Sequence, residues 1–161
     1  MTEVEATLRF VTHSLGNCRC GQVNRFPHDP DGRVMFMPTW WASLVRYAAK
    51  VLSKHHHAVK EIDWDPFVVG APLEYRRYYA KSRYQRHEAF YPGDSIVVRA
   101  VLPDDLDIDD FRELLVLAGR YRGVSPYGND KQLGRYVVVD VRHRRRASAQ
   151  KATRRLGAGG P

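Results

Sequence analysis

Cysteine is scarce in this chain of 161 residues: Cys18 and Cys20 are the only two, and one residue separates them. A disulfide between positions so close would be strained. With no second pair the chain cannot build a four-thiolate zinc site, and a mixed site would need His13 or His28 in a spacing that matches no zinc-finger pattern. Two reduced thiols favour a cytoplasmic protein.

Long apolar runs and common catalytic motifs are also missing. The N-terminus, MTEVEATLRF, is acidic and lacks the apolar core of a signal peptide, and no apolar run approaches 18 residues, so we expect no membrane partner. The chain contains no GxxxxGK[ST], GxSxG, HExxH or GxGxxG. ATPase, hydrolase and dinucleotide chemistry therefore lack support. We expect no cofactor and no metal, since the consecutive His55, His56 and His57 would point about 100° apart on a helix.

Positive charge is concentrated at one end of the chain. Seven of the 26 Lys and Arg residues lie between Arg142 and Pro161, which contains no acid, and the remaining 19 nearly balance the 18 Asp and Glu residues. So charged a segment cannot bury enough apolar surface to fold alone. We predict one domain at residues 1–141 and a flexible basic tail at 142–161. The tail either binds phosphates or merely keeps the protein in solution.

The stretch from 75 to 87, YRRYYAKSRYQRH, holds five Lys or Arg residues, four Tyr residues and no acid. Cations displace the counterions of phosphates, and flat aromatic rings stack on unpaired bases. The combination indicates a nucleic-acid binder. The alternative is an ordinary amphipathic strand, with tyrosines packed on one face and arginines in solvent on the other.

Residue periodicity predicts the main elements. Residues 5–13 alternate like a strand, and 40–54 place apolar residues at helical spacing behind a Thr39 cap. Residues 75–91 and 95–102 are predicted to be two strands joined by a turn at 91–94. Asp107 or Asp109 is expected to cap a second helix, roughly 108–121, which gives the acidic run at 104–110 a structural purpose. A last strand is predicted at 134–141.

The order of these elements indicates the fold class. Setting aside a hairpin inserted at about 22–38, turned at Asp31 and Gly32, and one extra strand, the order is βαββαβ. This order is typical of the ferredoxin-like split βαβ unit. We therefore predict an α+β, ferredoxin-like protein, with two helices on one face of an antiparallel sheet, an inserted β-hairpin and a disordered basic C-terminal tail.

The segment FRELLVLAGRYRGVSPYGNDKQLGRYVVVDV joins an amphipathic helix ending in AGRYRG to a polar, glycine-bearing loop and a Gly-Arg-aromatic strand. It resembles the end of RAMP-superfamily proteins, the ferredoxin-like RNA binders of CRISPR effector complexes, and of their small phage-encoded relatives. The resemblance implies single-stranded RNA binding along the sheet and the glycine-rich loop. By position it implicates Arg120, Arg122, Gly123, Gly128, Lys131, Gly134 and Arg135.

We expect a protein that binds single-stranded RNA or DNA through Arg/Lys–phosphate contacts and Tyr stacking, without catalysis. One alternative is a structural or assembly subunit whose partners are other subunits of a viral or ribonucleoprotein complex. Another is a metal-independent endoribonuclease, in which His13 takes a proton from the ribose 2′-OH with Tyr127 or Lys131 as its partner. The predicted nucleic-acid-binding residues are Arg76, Arg77, Tyr78, Lys81, Arg83, Tyr84, Arg86, Arg120, Arg122, Gly123, Lys131, Arg135, Arg144, Arg145 and Arg146.

Overall fold

The computed structural model describes residues 1–126 and 132–144. Its elements in chain order are β1 (Thr2–Phe10), β2 (Ser14–Leu15), β3 (Cys18–Cys20), β4 (Val23–Arg25), α1 (Pro38–Leu52), β5 (Asp63–Trp64), β6 (Leu73–Ala80), β7 (Arg83–Phe90), β8 (Ser95–Leu102), α2 (Ile108–Tyr121) and β9 (Tyr136–His143). Some predicted residues lie outside the described part of the chain: Tyr127, Gly128, Lys131, Arg145 and Arg146.

One sheet has four strands in the order β5-β8-β1-β9, and each neighbouring pair is antiparallel. Along β1, the residues Val4, Ala6, Leu8 and Phe10 are buried, whereas the residues between them are more accessible. Because strand side chains alternate between faces, these four point to the same side. They pack there into one hydrophobic core with residues of α1 and α2. The predicted α+β class is therefore confirmed.

The two helices begin in different ways. α1 begins at Pro38, which has no N–H to leave unsatisfied and a fixed φ that suits the first helical position. Met37 is consequently the N-cap and makes no side-chain hydrogen bond, so the predicted cap at Thr39 is wrong. α2 begins after Asp107, whose Oδ1 accepts a hydrogen bond from the backbone N–H of Asp110 at 2.8 Å. This is the first of the two predicted caps.

Packed aromatic rings join the helices to the sheet. The ring centroids of Trp41 in α1 and Trp64 in β5 are 5.4 Å apart, and those of Trp64 and Phe111 in α2 are 5.6 Å apart. Phe36 stacks on Trp41 at 5.8 Å. Rings at such distances bury large apolar areas and favour defined geometry. The core is thus centred between α1, α2 and the first sheet.

β7 is the central strand of a second sheet. β6 pairs with β7 in antiparallel fashion along its length, so β2 and β4 share the other edge, with β4 parallel to β7. β3 pairs with β4. The ring of Phe90, at the end of β7, lies 5.6 Å from that of Phe10 in β1 and 5.3 Å from that of Phe26. The two sheets therefore share one hydrophobic core.

β1 spans Thr2–Phe10 rather than the predicted 5–13, and two further differences bear on the candidate site. Residues 75–91 do not form one strand, because the chain reverses at Lys81 and Ser82 and its halves pair as β6 and β7. No glycine, proline or asparagine marks this turn, and Ser82 itself takes a positive φ of 67°. β9 continues to His143, two residues beyond the predicted end of the domain. Arg142 lies in this extension and pairs with Glu5 of β1.

The segment predicted as an inserted hairpin is only partly regular. Of its antiparallel strands, β3 lies upstream of the predicted position and β4 lies within it, and they reverse at Gly21, which has a φ of 67°. Farther on, an isolated bridge pairs His28 with Val34. The turn between them is closed by Arg33, whose Nε donates to Asp29 Oδ2 at 2.6 Å. The Asp31–Gly32 turn is therefore present without flanking strands.

Candidate nucleic-acid interface

The β6–β7 hairpin places the predicted interface residues on two faces. Tyr78 lies opposite Tyr84 and Arg76 lies opposite Arg86. Directly opposite residues of an antiparallel pair project to the same side. We call this side the outer face, and it includes Glu74, which alternates with Arg76 and Tyr78 along β6. The inner face consists of Tyr75, Arg77, Gln85 and His87.

The outer-face tyrosines form an exposed aromatic pair. Tyr78 is 67% exposed and Tyr84 is 41% exposed. Their ring centroids are 5.7 Å apart with planes inclined at 52°. The guanidinium carbon of Arg76 lies 5.0 Å from the Tyr84 ring centroid, within the range of a cation–π contact. Accessible rings whose orientation is restrained by such contacts provide a surface on which unpaired bases stack.

Glu74 neutralises part of the positive charge of the outer face. It directly precedes the acid-free stretch of residues 75–87, so the composition of that stretch did not reveal it. Arg86 donates from Nε and Nη2 to the two carboxylate oxygens of Glu74, and the Nε of Arg76 is 3.7 Å from Oε1. The Arg86 hydrogen bonds lower the pKa of Glu74, and Glu74 in turn raises the pKa of Arg86. Arg86 is therefore engaged within the hairpin.

The tip of the hairpin carries cations without such compensation. Lys81 lies in the turn, Arg83 follows it directly, and both are exposed. Neither forms an ion pair with any residue in the described ranges. Exposed cations that no carboxylate neutralises attract phosphates most strongly. The tip is thus the most electropositive part of the hairpin, next to the Tyr78–Tyr84 pair.

Three packed rings join the base of the hairpin to the segment that follows β1. The His13 ring lies 4.3 Å from Tyr75 and 4.9 Å from Tyr91, and the two tyrosine rings are 5.8 Å apart. Burial lowers the pKa of His13, although the nearby carboxylate of Asp94 acts in the opposite direction. His13 is therefore favoured in its neutral form, between the hairpin and the four-stranded sheet.

A buried histidine fixes the same end of the hairpin from the inner face. His87 is fully buried, and its Nδ1 is 2.8 Å from the carbonyl oxygen of Gly16. Burial lowers the pKa of His87, which this hydrogen bond partly counteracts. A side chain at Gly16 would place Cβ 2.4 Å from the backbone of Arg25. Close backbone packing therefore holds the base, while the tip extends into solvent.

The glycines implicated by the RAMP resemblance bring two backbone segments together. Gly123 and Gly134 have φ values of 79° and 69°, a region that other residues rarely adopt. The N–H of Val124 donates to the carbonyl of Gly134 at 2.8 Å, and the N–H of Gly134 donates to that of His13 at 2.7 Å. These contacts give both glycines a structural purpose beside any role with phosphate.

The arginines predicted near this loop are not grouped with the hairpin. Arg120 is exposed in the last turn of α2, and the guanidinium carbon of Arg122 lies 4.1 Å from the Tyr47 ring of α1. Arg135 is partly buried, and its backbone N–H donates to Thr12 Oγ1 at 2.9 Å. Arg144 follows β9, with its N–H donating to the Glu3 carbonyl at 2.9 Å. The predicted residues therefore belong to several surfaces.

The open face of the four-stranded sheet is ionic rather than aromatic. Glu5 at its centre accepts hydrogen bonds from Arg99 at 3.1 Å and from Arg142 at 2.7 Å. The hydrogen bonds from Arg142, and then those from Arg99, lower the pKa of Glu5. Along β1, Thr7 and Arg9 share this face with Glu5. None of the residues that β1, β8 and β9 direct to this face is aromatic.

Within residues 1–126 and 132–144, no group of three or more His, Cys, Asp or Glu side chains is placed to hold a metal ion. In the same ranges no helix is both long and apolar enough to cross a bilayer. The comparisons with known proteins give no match, either to a protein-family model or to a curated protein.

Proposed function

We propose that this protein binds single-stranded RNA or DNA on the outer face of the β6–β7 hairpin. Tyr78 and Tyr84 stack on unpaired bases, and Lys81 and Arg83 contact phosphates. The observation that carries the proposal is the exposed tyrosine pair, with ring centroids 5.7 Å apart, beside two exposed cations that form no ion pair in the described ranges.

We also propose a ferredoxin-like fold and a relationship to RAMP-like RNA binders. If the five strands of the second sheet are set aside, β1, β5, β8 and β9 are the four strands of a βαββαβ unit. The observed order β5-β8-β1-β9 places the third strand between the first and the second, as in the split βαβ arrangement. This relationship favours RNA as the ligand. The compartment we propose is the reducing cytoplasm, which suits the free, exposed thiol of Cys18.

Two double variants of the full chain test the hairpin. Y78L/Y84L removes the rings but keeps apolar bulk, whereas Y78F/Y84F keeps the rings. Because both variants are made in the full chain, both retain the basic tail. Stacking contributes roughly 1–3 kcal/mol per base, so the leucine variant should bind labelled single-stranded RNA at least about tenfold more weakly. The phenylalanine variant should stay close to the wild type. Fluorescence anisotropy with RNA and DNA strands across a salt series measures both.

Equal affinities of the two variants would contradict stacking by the hairpin. The other outcome is that neither RNA nor DNA binds to any variant, while the leucine variant loses a self-association that the wild type shows. In that case the tyrosine pair is a protein interface. The protein would then be the assembly subunit described above. Analytical ultracentrifugation of the same samples without nucleic acid distinguishes these outcomes.

A metal-independent endoribonuclease of the same fold is the second candidate, and His13 is the observation that favours it. A neutral imidazole at physiological pH is the form that a general base needs. Its ring lies 4.3 Å from Tyr75, on the inner face of the hairpin whose outer face is the proposed RNA surface. Incubation with labelled RNA in a chelator should then give cleavage that His13→Ala abolishes. Intact RNA after prolonged incubation rules this activity out.

A further inference from the structure

The helices carry a second group of exposed cations. Arg46 and Lys50 are exposed on α1, one turn or about 6 Å apart along the helix axis. Arg120, which is exposed in the last turn of α2, lies apart from them in a groove that β9 also lines. The sequence of α1 contains no acid, and neither does α2 after Glu113. Arg46 and Lys50 therefore have no acid on their own helix.

A cation–π contact joins the two helices at this place. Arg122 follows α2 directly, and its guanidinium carbon lies 4.1 Å from the centroid of the Tyr47 ring in α1. Tyr47 lies between Arg46 and Lys50 in the sequence of α1. The contact therefore brings the end of α2, with the exposed Tyr121, to the middle of α1. We call this surface the helix-layer patch: Arg46, Tyr47, Lys50, Tyr121 and Arg122.

Several cations elsewhere on the molecule are held by carboxylates. Arg99 and Arg142 are held by Glu5, and Arg86 is held by Glu74. In contrast, Arg46, Lys50 and Arg122 form no ion pair within residues 1–126 and 132–144. Their charge is therefore available to a ligand from outside the molecule.

We infer that the helix-layer patch binds a second segment of the same nucleic-acid strand that the hairpin binds. Lysine is depleted in protein–protein interfaces, and the patch lacks the acids that a protein partner of mixed charge would meet. Phosphates match its free cations, and Tyr121, 53% exposed, offers a ring for a base. The inference rests on the proposed function for the class of ligand, but concerns different residues.

Two binding surfaces on separate elements have a measurable consequence. A strand long enough to reach both surfaces engages the second one at a high effective concentration, so affinity rises with length. A strand that covers only one surface gains nothing from the other. Strand length therefore separates the patch from the hairpin, in full-length protein that keeps its basic tail.

The test compares two charge-matched double variants of the full chain. R46E/K50E reverses the patch, and R9E/K60E reverses two exposed cations elsewhere, on β1 and on the short 3₁₀ turn at Ala58–Glu61. Both are titrated with labelled RNA strands of about 8 and about 40 nucleotides, lengths chosen to cover one or both surfaces. R46E/K50E should bind the long strand at least about tenfold more weakly than R9E/K60E, and the short strand equally well.

Photo-crosslinking of the wild type to 4-thiouridine RNA provides an independent readout. Peptides that contain Tyr47 or Tyr121 should be crosslinked by the long strand and not by the short one. Equal loss of affinity in the two variants, or wild-type affinity that is independent of length, overturns the inference. If the hairpin does not bind nucleic acid, this is seen separately, because Y78L/Y84L would then bind the short RNA as tightly as the wild type does. Absence of binding to either strand overturns both proposals.

Discussion

Arg86 donates two hydrogen bonds to the carboxylate of Glu74, at 2.8 and 3.0 Å, across the two strands of the hairpin. Bidentate pairing of this kind is stronger and more directional than a single contact. The pair stands on the same face as Tyr78 and Tyr84. Glu74 therefore restrains one cation of the proposed interface and lowers the net charge that a phosphate meets there.

Replacement of Glu74 by glutamine is expected to raise the affinity for single-stranded nucleic acid. The change releases about one further cation for phosphate contact, so the plot of log affinity against log salt should steepen by about 0.7. Anisotropy titrations at several salt concentrations measure this slope. Glu113→Gln, at an exposed position of α2, controls for the change in net charge. A lower affinity would mean that Glu74 orients Arg86 toward the ligand.

Alanine at Gly134 is expected to destabilise the fold. An added Cβ would lie 2.0 Å from the carbonyl oxygen of Val124, and the φ of 69° is itself unfavourable for other residues. The conformational cost alone is about 1–2 kcal/mol, and the clash should bring the loss of unfolding free energy above about 3 kcal/mol. Urea denaturation followed by circular dichroism measures the loss.

Gly93→Ala is the matched control for this substitution. Gly93 also has a positive φ, of 93°, but nothing lies within 4 Å of an added Cβ. Its replacement should therefore show the conformational cost without the clash. Equal destabilisation of the two variants would contradict the close approach between residues 124 and 134.

Loss of the Asp107 cap should weaken α2. Its carboxylate accepts the N–H of Asp110 at 2.8 Å, and removal of such a cap costs about 1 kcal/mol. Asp107→Ala is compared with Asp105→Ala, which removes an exposed carboxylate of the same acidic run outside the helix. Urea denaturation should show a lower midpoint for the first variant only. A similar decrease in both would point to general charge effects.

Stability should depend on Glu5 in a pH-dependent manner. The pKa of Glu5 is lowered in the folded state by Arg142 and Arg99, from an ordinary value of 4.5. Its ionised form therefore stabilises the fold above that value, and the contribution is lost as the pH falls through the lowered pKa. Glu5→Gln should cost about 2 kcal/mol at pH 7 and much less at pH 3. Urea titrations at both pH values test this, and an unchanged difference contradicts it.

Local signals in the sequence predicted α2 well and the hairpin poorly. Asp107 acts on an N–H three residues away, so its role is visible in a short window. The turn at Lys81 and Ser82 carries none of the residues that usually mark a reversal, so the sequence favoured one long strand. Pro38 at the first position of α1 displaced the cap expected at Thr39.

The candidate site could be predicted only in part, because its contacts join distant segments. The tyrosines and arginines of residues 75–87 were evident from composition, but their division into two faces depends on the register of β6 and β7. Arg122 and Tyr47 are 75 positions apart, and no sequence pattern links them. Likewise, Glu5 meets Arg142 only because β9 lies beside β1.

The three tryptophans of the chain give it a built-in optical label. Trp41 and Trp64 are buried in the core, Trp40 packs against it, and the hairpin contains none. Indole emission, excited at wavelengths that tyrosine does not absorb, therefore reports on the integrity of the core and not on the hairpin. The fold of each hairpin variant can consequently be checked without an attached dye.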